Sequence, residues 1–283
     1  MRTAGRFYDK LFFLSNLGRS GWHIIGLALV VFTLSHYFFD VELTMNNKRI
    51  PTGIPELDRL IEGGLRMGKS YLVIGEPGTG KTVFALQFLV NGLMNKEKGL
   101  YVAVDEKPAD VMEQAKSLGW DLAPFIDSKD FLILDASAYF GGRAAEGQAR
   151  SIDVQRVVTD LSNYITRLGA SRVVIDPVGP LLFSRESMSR VLDQTRVLFY
   201  ALQANAGTTN LLTTYAVERK IRGIEEYLVS GTFFLEMELI NRRFVRTVTI
   251  EKMRSTALAP GQYLFDILAD RGIVLRDAAG IDP

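Results

Sequence analysis

The sequence predicts an α/β domain. A mostly parallel sheet is flanked by helices, built around a phosphate-binding loop and extended by an antiparallel C-terminal hairpin. Three observations predict it. Five short apolar runs, "YLVIG" (71–75), "LYVAVD" (100–105), "FLILD" (131–135), "RVVID" (172–176) and "NLLTTY" (210–215), end in polar or glycine residues. They are continuous rather than alternating, as strands buried on both faces are. Longer helical patterns fall between them, at 82–95, 109–118, 153–168 and 188–205. Strand alternating with helix gives a parallel sheet with right-handed crossovers. The third observation is "GEPGTGKT" (75–82), placed between the first run and the first helical pattern.

Composition narrows the chemistry. The chain has 283 residues, with 33 Lys plus Arg against 32 Asp plus Glu. A near-neutral balance does not suggest a strongly basic nucleic-acid surface. There is no cysteine, which removes disulfides, thiolate catalysis and Cys-based zinc sites together. The only two histidines are His23 and His36. Serine–histidine catalysis in the main domain is therefore excluded.

Taken in order, the chain opens with a separate N-terminal extension, 1–44, ahead of one α/β domain, 45–283. "WHIIGLALVVFTLSHYFF" (22–39) is 18 residues without a charge, at the lower edge of a membrane span. Basic residues flank it on both sides, so the positive-inside rule does not orient it. Three readings stay open: a membrane anchor, an upstream extension before a true start at Met45, and a helix packed on the domain or on a partner. A P-loop domain needs ATP, so the domain itself is expected in the cytoplasm.

The loop after the first strand matches G-x-x-x-x-G-K-[ST]. Backbone N–H groups must wrap a phosphate, and a Cβ would block the approach. The following helix adds its N-terminal dipole. Residues Gly75, Glu76, Pro77, Gly78, Thr79, Gly80, Lys81, Thr82 and Val83 form the expected ATP site. Lys81 places a charge on the β and γ phosphates, and the Thr82 hydroxyl is offered to Mg²⁺. At the end of the second strand stand two adjacent acids, Asp105 and Glu106. If that strand lies beside the P-loop strand, one acid points at the γ-phosphate. Glu106 is the expected base for water, with Asp105 as alternative or support. The small-residue stretch "GGRAAEGQAR" (141–150) reads as a surface loop or as a loop lining a channel. Asp176 ends the strand "RVVID" and suits a Walker B aspartate acting through a metal-bound water. After Tyr215 the pattern changes: "TFFLEMELI" (232–240) and "RFVRTVTIEKM" (243–253) flank Asn241–Arg242, which predicts a hairpin.

These segments together resemble a known family. "PTGIPELDRLIEGGLRMGKSYLVIGEPGTGKT", "YVAVDEKPADVMEQAKSLGWDL", "RVVIDPVGPLL" and "VTIEKMRST" occur in the order seen in KaiC-type ATPase domains of the RecA superfamily. The resemblance covers about residues 48–268. It implies a RecA-like P-loop NTPase fold and a ring-shaped homo-oligomer, typically a hexamer, with ATP between neighbours. It implies that Lys252 and Arg254 reach the ATP of the adjacent subunit, and that Thr213 or Thr214 ends the core strand at a γ-phosphate sensor position. A plain β-propensity reading of those threonines stands beside the sensor reading. The chain departs from the family pattern at Asp105 (usually Glu), Tyr215 (often Glu), Ser255 (often Gly) and Leu258 (often His). Those departures leave ATP binding untouched and bear on nucleotide sensing and base contacts.

The expected function is an ATP-binding, Mg²⁺-dependent hydrolytic switch with its nucleotide at a subunit interface and an unidentified protein partner. The alternatives are a Ser/Thr autokinase, an ATP-binding scaffold for a signalling or motility partner, and a recombinase-like DNA-dependent ATPase.

Overall fold

The structure is a computed structural model. It describes residues 48–139, 153–182, 188–204, 207–215, 225–258 and 261–276. The apolar run 22–39, both histidines and the stretch 141–150 lie outside the described residues. Among the described residues no helix is long and apolar enough to cross a membrane.

All five expected strands form: β3 (Ser70–Gly75), β4 (Gly99–Ala103), β5 (Phe131–Asp135), β6 (Arg172–Asp176) and β7 (Thr209–Tyr215). They follow a small antiparallel ribbon of β1 (Arg49–Ile50) and β2 (Leu65–Arg66), which α1 (Pro55–Leu60) separates in sequence. The helices between them are α2 (Lys81–Met94), α3 (Pro108–Ser117), α4 (Ala123–Asp127), α5 (Val154–Leu168), α6 (Gly179–Leu182) and α7 (Met188–Ala204). The limits of α5 are written in its sequence. The Asp153 side chain accepts from the Arg156 amide at the N-terminus, and Gly169 closes the helix in the left-handed region, as caps of these types do.

After the short α8 (Glu225–Leu228), the chain turns antiparallel through β8 (Gly231–Ile240), β9 (Arg243–Met253), β10 (Gln262–Leu268) and β11 (Gly272–Leu275). The expected hairpin is β8–β9. Asn241 and Arg242 both take positive φ, 50° and 65°, as a two-residue turn matched to the strand twist requires. The sequence analysis missed β10 and β11. The run of β10 is interrupted by Asp266, and that of β11 is only four residues long, so neither periodicity is clear in them.

The nine-stranded sheet has the order β11-β10-β9-β8-β3-β7-β6-β4-β5. The condition set for the acidic pair is not met. The strand carrying Asp105 and Glu106 does not lie beside the P-loop strand, because β7 and β6 stand between β4 and β3. Chain order does not set neighbour order in a parallel sheet: each crossover can skip positions that later strands fill. What β4 borders instead is β6, with Ala103 opposite Asp176. The acidic pair is thus brought to the Walker B strand.

Alternation along the strands divides two cores between the faces of the sheet. Tyr71 and Val73 face α2, packing with Phe84, Phe88 and Leu89. Leu72 and Ile74 face the other way, toward Val157, Leu161, Leu198 and Phe199. The central strands are therefore rigid, and their carboxyl ends, where the loops begin, are fixed by both layers.

Candidate active site

The carboxyl edge of β3 carries the loop. A Cβ on Gly75 would lie 2.6 Å from the Thr79 hydroxyl and 2.7 Å from the Leu235 carbonyl, so only glycine fits there. Gly80 takes a φ of 108° as the last residue before α2, a conformation glycine adopts at little cost. Glu76, Pro77 and Gly78 form the exposed tip, while Thr79 is buried and its hydroxyl donates to the Glu76 carbonyl at 2.8 Å. Lys81 is buried. Its ammonium donates to the carbonyls of Gly75 (2.9 Å) and Glu76 (3.0 Å). Burial pulls its pKa down, and the charges of Asp176 and Glu76 oppose that pull. Thr82 and Val83 stand half-buried in the first turn of α2.

Asp176 is buried at the end of β6, and each of its carboxylate oxygens accepts one hydrogen bond from a hydroxyl. The Tyr101 hydroxyl reaches one carboxylate oxygen at 2.5 Å, and the Thr213 hydroxyl donates to the other. Burial, and then the Asp176 charge, push the Tyr101 phenol well up. Thr213 therefore touches Asp176 across the β6–β7 pair.

The acidic pair is split between different partners. The Tyr215 hydroxyl donates to Asp105 at 2.5 Å. The Gln114 amide of α3 donates to Glu106 at 2.5 Å. Partial burial of the Glu106 carboxyl raises its pKa; Asp176, Asp110 and Asp105 add to the rise, and Gln114 opposes it. The Tyr215 ring also lies 5.2 Å from the Lys81 ammonium, within reach of a cation–π contact.

The architecture and the loop have counterparts among known proteins. The family model described as KaiC ATPase matches residues 50–279. The chain belongs to the KaiC family of ATPases. It is 33% identical over 237 residues to the "UPF0273 protein PH0284" of Pyrococcus horikoshii, covering 81% of this chain and 94% of that one. It is 35% identical over 225 residues to the circadian clock oscillator protein KaiC of Thermostichus vulcanus, covering 78% of this chain but 43% of the clock protein. The chain thus spans less than half of that relative. A crystal structure of the KaiC-like protein PH0186 from Pyrococcus horikoshii superposes with a TM-score of 0.70 at 30% identity, over 81% of this chain and 99% of that one. The fold is the KaiC-like RecA fold.

The positions matching the family's late strand are not brought to the loop of their own chain. Gly75 pairs with Leu235, and Leu235 with Val248, whereas Lys252 lies opposite Thr232 near the other edge of the sheet. From Val248 to Arg254, just past the end of β9, the chain runs roughly 20 Å. The Lys252 ammonium donates to the carbonyls of Glu226 and Val229, each at 2.7 Å, and Arg254 donates to the Tyr227 carbonyl at 2.8 Å. Burial lowers the pKa of Lys252, the Arg254 charge adds to that, and Glu226 opposes it.

Three groups at the site were absent from the sequence reading. Tyr101 gave no signal because it looks like any β-strand aromatic. Arg246 on β9 reaches the Gly78 carbonyl at 3.4 Å through Nε and Nη2, from a strand far along the chain. Ile267 on β10 lies against Gly80, with its Cδ1 3.0 Å from where a Cβ would be.

The residues present fit a nucleoside triphosphate and its Mg²⁺. The loop starts at Gly75, where only glycine fits against Thr79 and Leu235, Lys81 is a buried cation at its base, and Asp176 is a buried carboxylate whose charge acts on Lys81. Among the described residues no cluster of three or more His, Cys, Asp or Glu could hold a metal alone. That donor set suits an ion which takes most of its ligands from phosphate and water, as Mg²⁺ does.

Proposed function

We propose that this KaiC-family domain binds ATP with Mg²⁺ and hydrolyses it with Glu106 as general base, in a homo-oligomer whose nucleotide lies between subunits. The observation that carries the reading is the β4–β6 pairing. It brings the acidic pair to the end of the strand beside Asp176, where burial first, and then the charges of Asp176, Asp110 and Asp105, raise the Glu106 pKa.

The chain's own groups divide the work. The amides of 78–82 and the N-terminus of α2 hold phosphate oxygens. Lys81 exchanges its two carbonyl bonds for the β and γ oxygens. Thr82 and Asp176 would hold Mg²⁺, which supplies charge neutralisation on the phosphates when bound. Glu106 orients the attacking water and takes its proton, and the desolvation that raises its pKa makes it the stronger base. Lys252 and Arg254 lie away from their own loop, and the family resemblance supports their acting on the nucleotide of the neighbouring subunit, where added cations stabilise charge on the γ-phosphate. The requirement for ATP places the domain in the cytoplasm.

The test is incubation of the protein with γ-labelled ATP and Mg²⁺, counting free phosphate and protein-bound label. Free phosphate is the expected product. Label retained on Ser or Thr would replace hydrolysis with the autokinase reading.

Two further outcomes follow from the geometry. Mixing inactive Glu106→Gln chains with inactive Lys252→Ala/Arg254→Ala chains should restore hydrolysis, because a mixed interface can pair one intact base with intact cations. Mixtures as inactive as their components would sink the trans assignment. The pH profile is the second. Glu106 must be ionised to accept a proton, and its folded pKa is raised. Hydrolysis should therefore fall with decreasing pH along a limb placed above the ordinary glutamate range. Asp110→Asn removes one of the repelling charges and should move that limb to lower pH. A limb at the ordinary carboxylate position, unmoved by the substitution, would argue against Glu106 as base.

A further inference from the structure

Asp105 and Glu106 are adjacent acids at the same strand end, both exposed and both capable of proton transfer. Nothing in their own chemistry decides which one acts. Their partners do differ. Glu106 is held by an amide, which is a weak donor and leaves the carboxylate basic. Asp105 is held by a phenol at 2.5 Å; both bonds are of the same length and both go to a carboxylate, so what differs is the donor, the phenol O–H being much the more acidic. The same phenol ring lies beneath the Lys81 ammonium. β7 is not a neighbour of β4, since β6 stands between them, so Tyr215 reaches over Asp176 to make this contact.

We propose that Tyr215 is the positioning residue that assigns the two acids unequal roles. By donating to Asp105 and lying beneath Lys81, it ties that carboxylate to the P-loop lysine and leaves Glu106 alone to act on water. The inference rests on the hydrolytic reading of this site and goes beyond it by naming what separates the pair.

The physical argument has two parts. A carboxylate accepting from a phenol is a poorer proton acceptor than one accepting from an amide, because protonation weakens the bond and the more acidic donor makes the stronger bond to the anion. Tyr215 also stays a donor at any neutral pH: its phenol is pushed up to about 12, chiefly by the bond to Asp105 and then by partial burial. Tyr215 is 44% exposed, so its hydroxyl is not needed to fill the core. A Phe in its place keeps the ring near Lys81 and removes only the donor.

The experiment compares kcat and KM for ATP in the full chain and in Y215F, E106Q, D105N, Y215F/E106Q and Y215F/E106Q/D105N. E106Q should lose most of its turnover while D105N loses little. In Y215F the KM should hold, since the ring remains, and kcat should change. The deciding comparison is the double variant. Freed from the phenol, Asp105 can substitute for the missing base, so Y215F/E106Q should turn over about tenfold or more faster than E106Q, within the span of a general-base contribution. Adding D105N should abolish that gain. A merely structural Tyr215 would make the double variant no faster than E106Q, and that result overturns the inference. A D105N loss as large as that of E106Q overturns it as well, because both acids would then be working. Absence of hydrolysis by the unmodified chain is a separate outcome: it removes the hydrolytic reading, and this inference with it.

Discussion

Replacing Glu106 by Gln should lower ATP turnover by about 10²–10⁴-fold, the usual contribution of a positioned general base, while leaving ATP affinity close to unchanged. Glutamine keeps the volume and can still bond to the Gln114 side chain by flipping its amide, so the local packing survives. What it loses is the capacity to accept a proton. The loop of residues 75–82 lies on β3 and α2, with two strands between β3 and β4, and is untouched. The loss should therefore fall on kcat rather than on KM. A turnover within a fewfold of the unmodified chain would remove Glu106 from the mechanism. A loss of ATP binding with unchanged turnover would mean that the acidic pair holds the nucleotide instead.

Arg172→Ala should have the largest effect on stability and almost none on chemistry. Arg172 is 1% exposed at the start of β6. Its guanidinium donates to Glu97, to the Phe88 carbonyl at 2.7 Å and to the Pro51 carbonyl at 2.8 Å. It also lies 4.7 Å from the Phe88 ring. One side chain thus joins α2, the segment before α1 and the turn before β4. Burial lowers its pKa, and Glu97 and Asp58 oppose that. Truncation strands Glu97 and the carbonyls. Breaking a buried pair from one side costs about 3–5 kcal/mol, and the partial exposure of Glu97 places this case toward the lower end of that range. Against a total stability of roughly 5–15 kcal/mol for a domain, that is a large fraction, and denaturant titration should show it as a lower midpoint. Arg172→Lys should recover only part, since an ammonium cannot fork between several acceptors. An independent check is Gly92→Ala. A Cβ there would lie 2.4 Å from the Arg172 side chain, so it should destabilise the unmodified chain more than the Arg172→Ala background. Turnover per folded molecule should stay unchanged in Arg172→Ala, because Arg172 begins the strand that Asp176 ends. A stability equal to that of the unmodified chain would mean that the network contributes nothing net.

The two variants separate what a residue does for the reaction from what it does for the fold. Both residues are charged, and in sequence neither looks more important than the other.

Much of the molecule was legible in the sequence because its signals are local. The octapeptide needs glycines at set positions because backbone must approach phosphate, and that constraint is written within eight residues. β3, β4, β6 and β7 are buried on both faces, so their apolar runs need no knowledge of their neighbours, while β5 at the sheet edge is mostly half-buried yet still apolar in sequence. Asn241–Arg242 marks a two-residue turn by its position between two strand-like runs. Other properties depend on which elements become neighbours. That β4 borders β6 rather than β3 is decided by how crossovers pack, and it moved the acidic pair from the P-loop strand to the Walker B strand. Arg246 reaches Gly78 only because β8 adds to β3 in parallel and β9 folds back on it. Lys252 belongs to the same strand as Arg246 and Arg254 follows its end, yet both lie at the far end, because an extended chain advances too far in six residues to serve one site twice. Tyr215 reads in sequence as the polar end of an apolar strand; only the order β7-β6-β4 sets its hydroxyl against Asp105. The sequence by itself determined the chemistry available at each strand end. The tertiary structure decided which ends meet, because pairing between strands rests on contacts that no stretch of sequence contains alone.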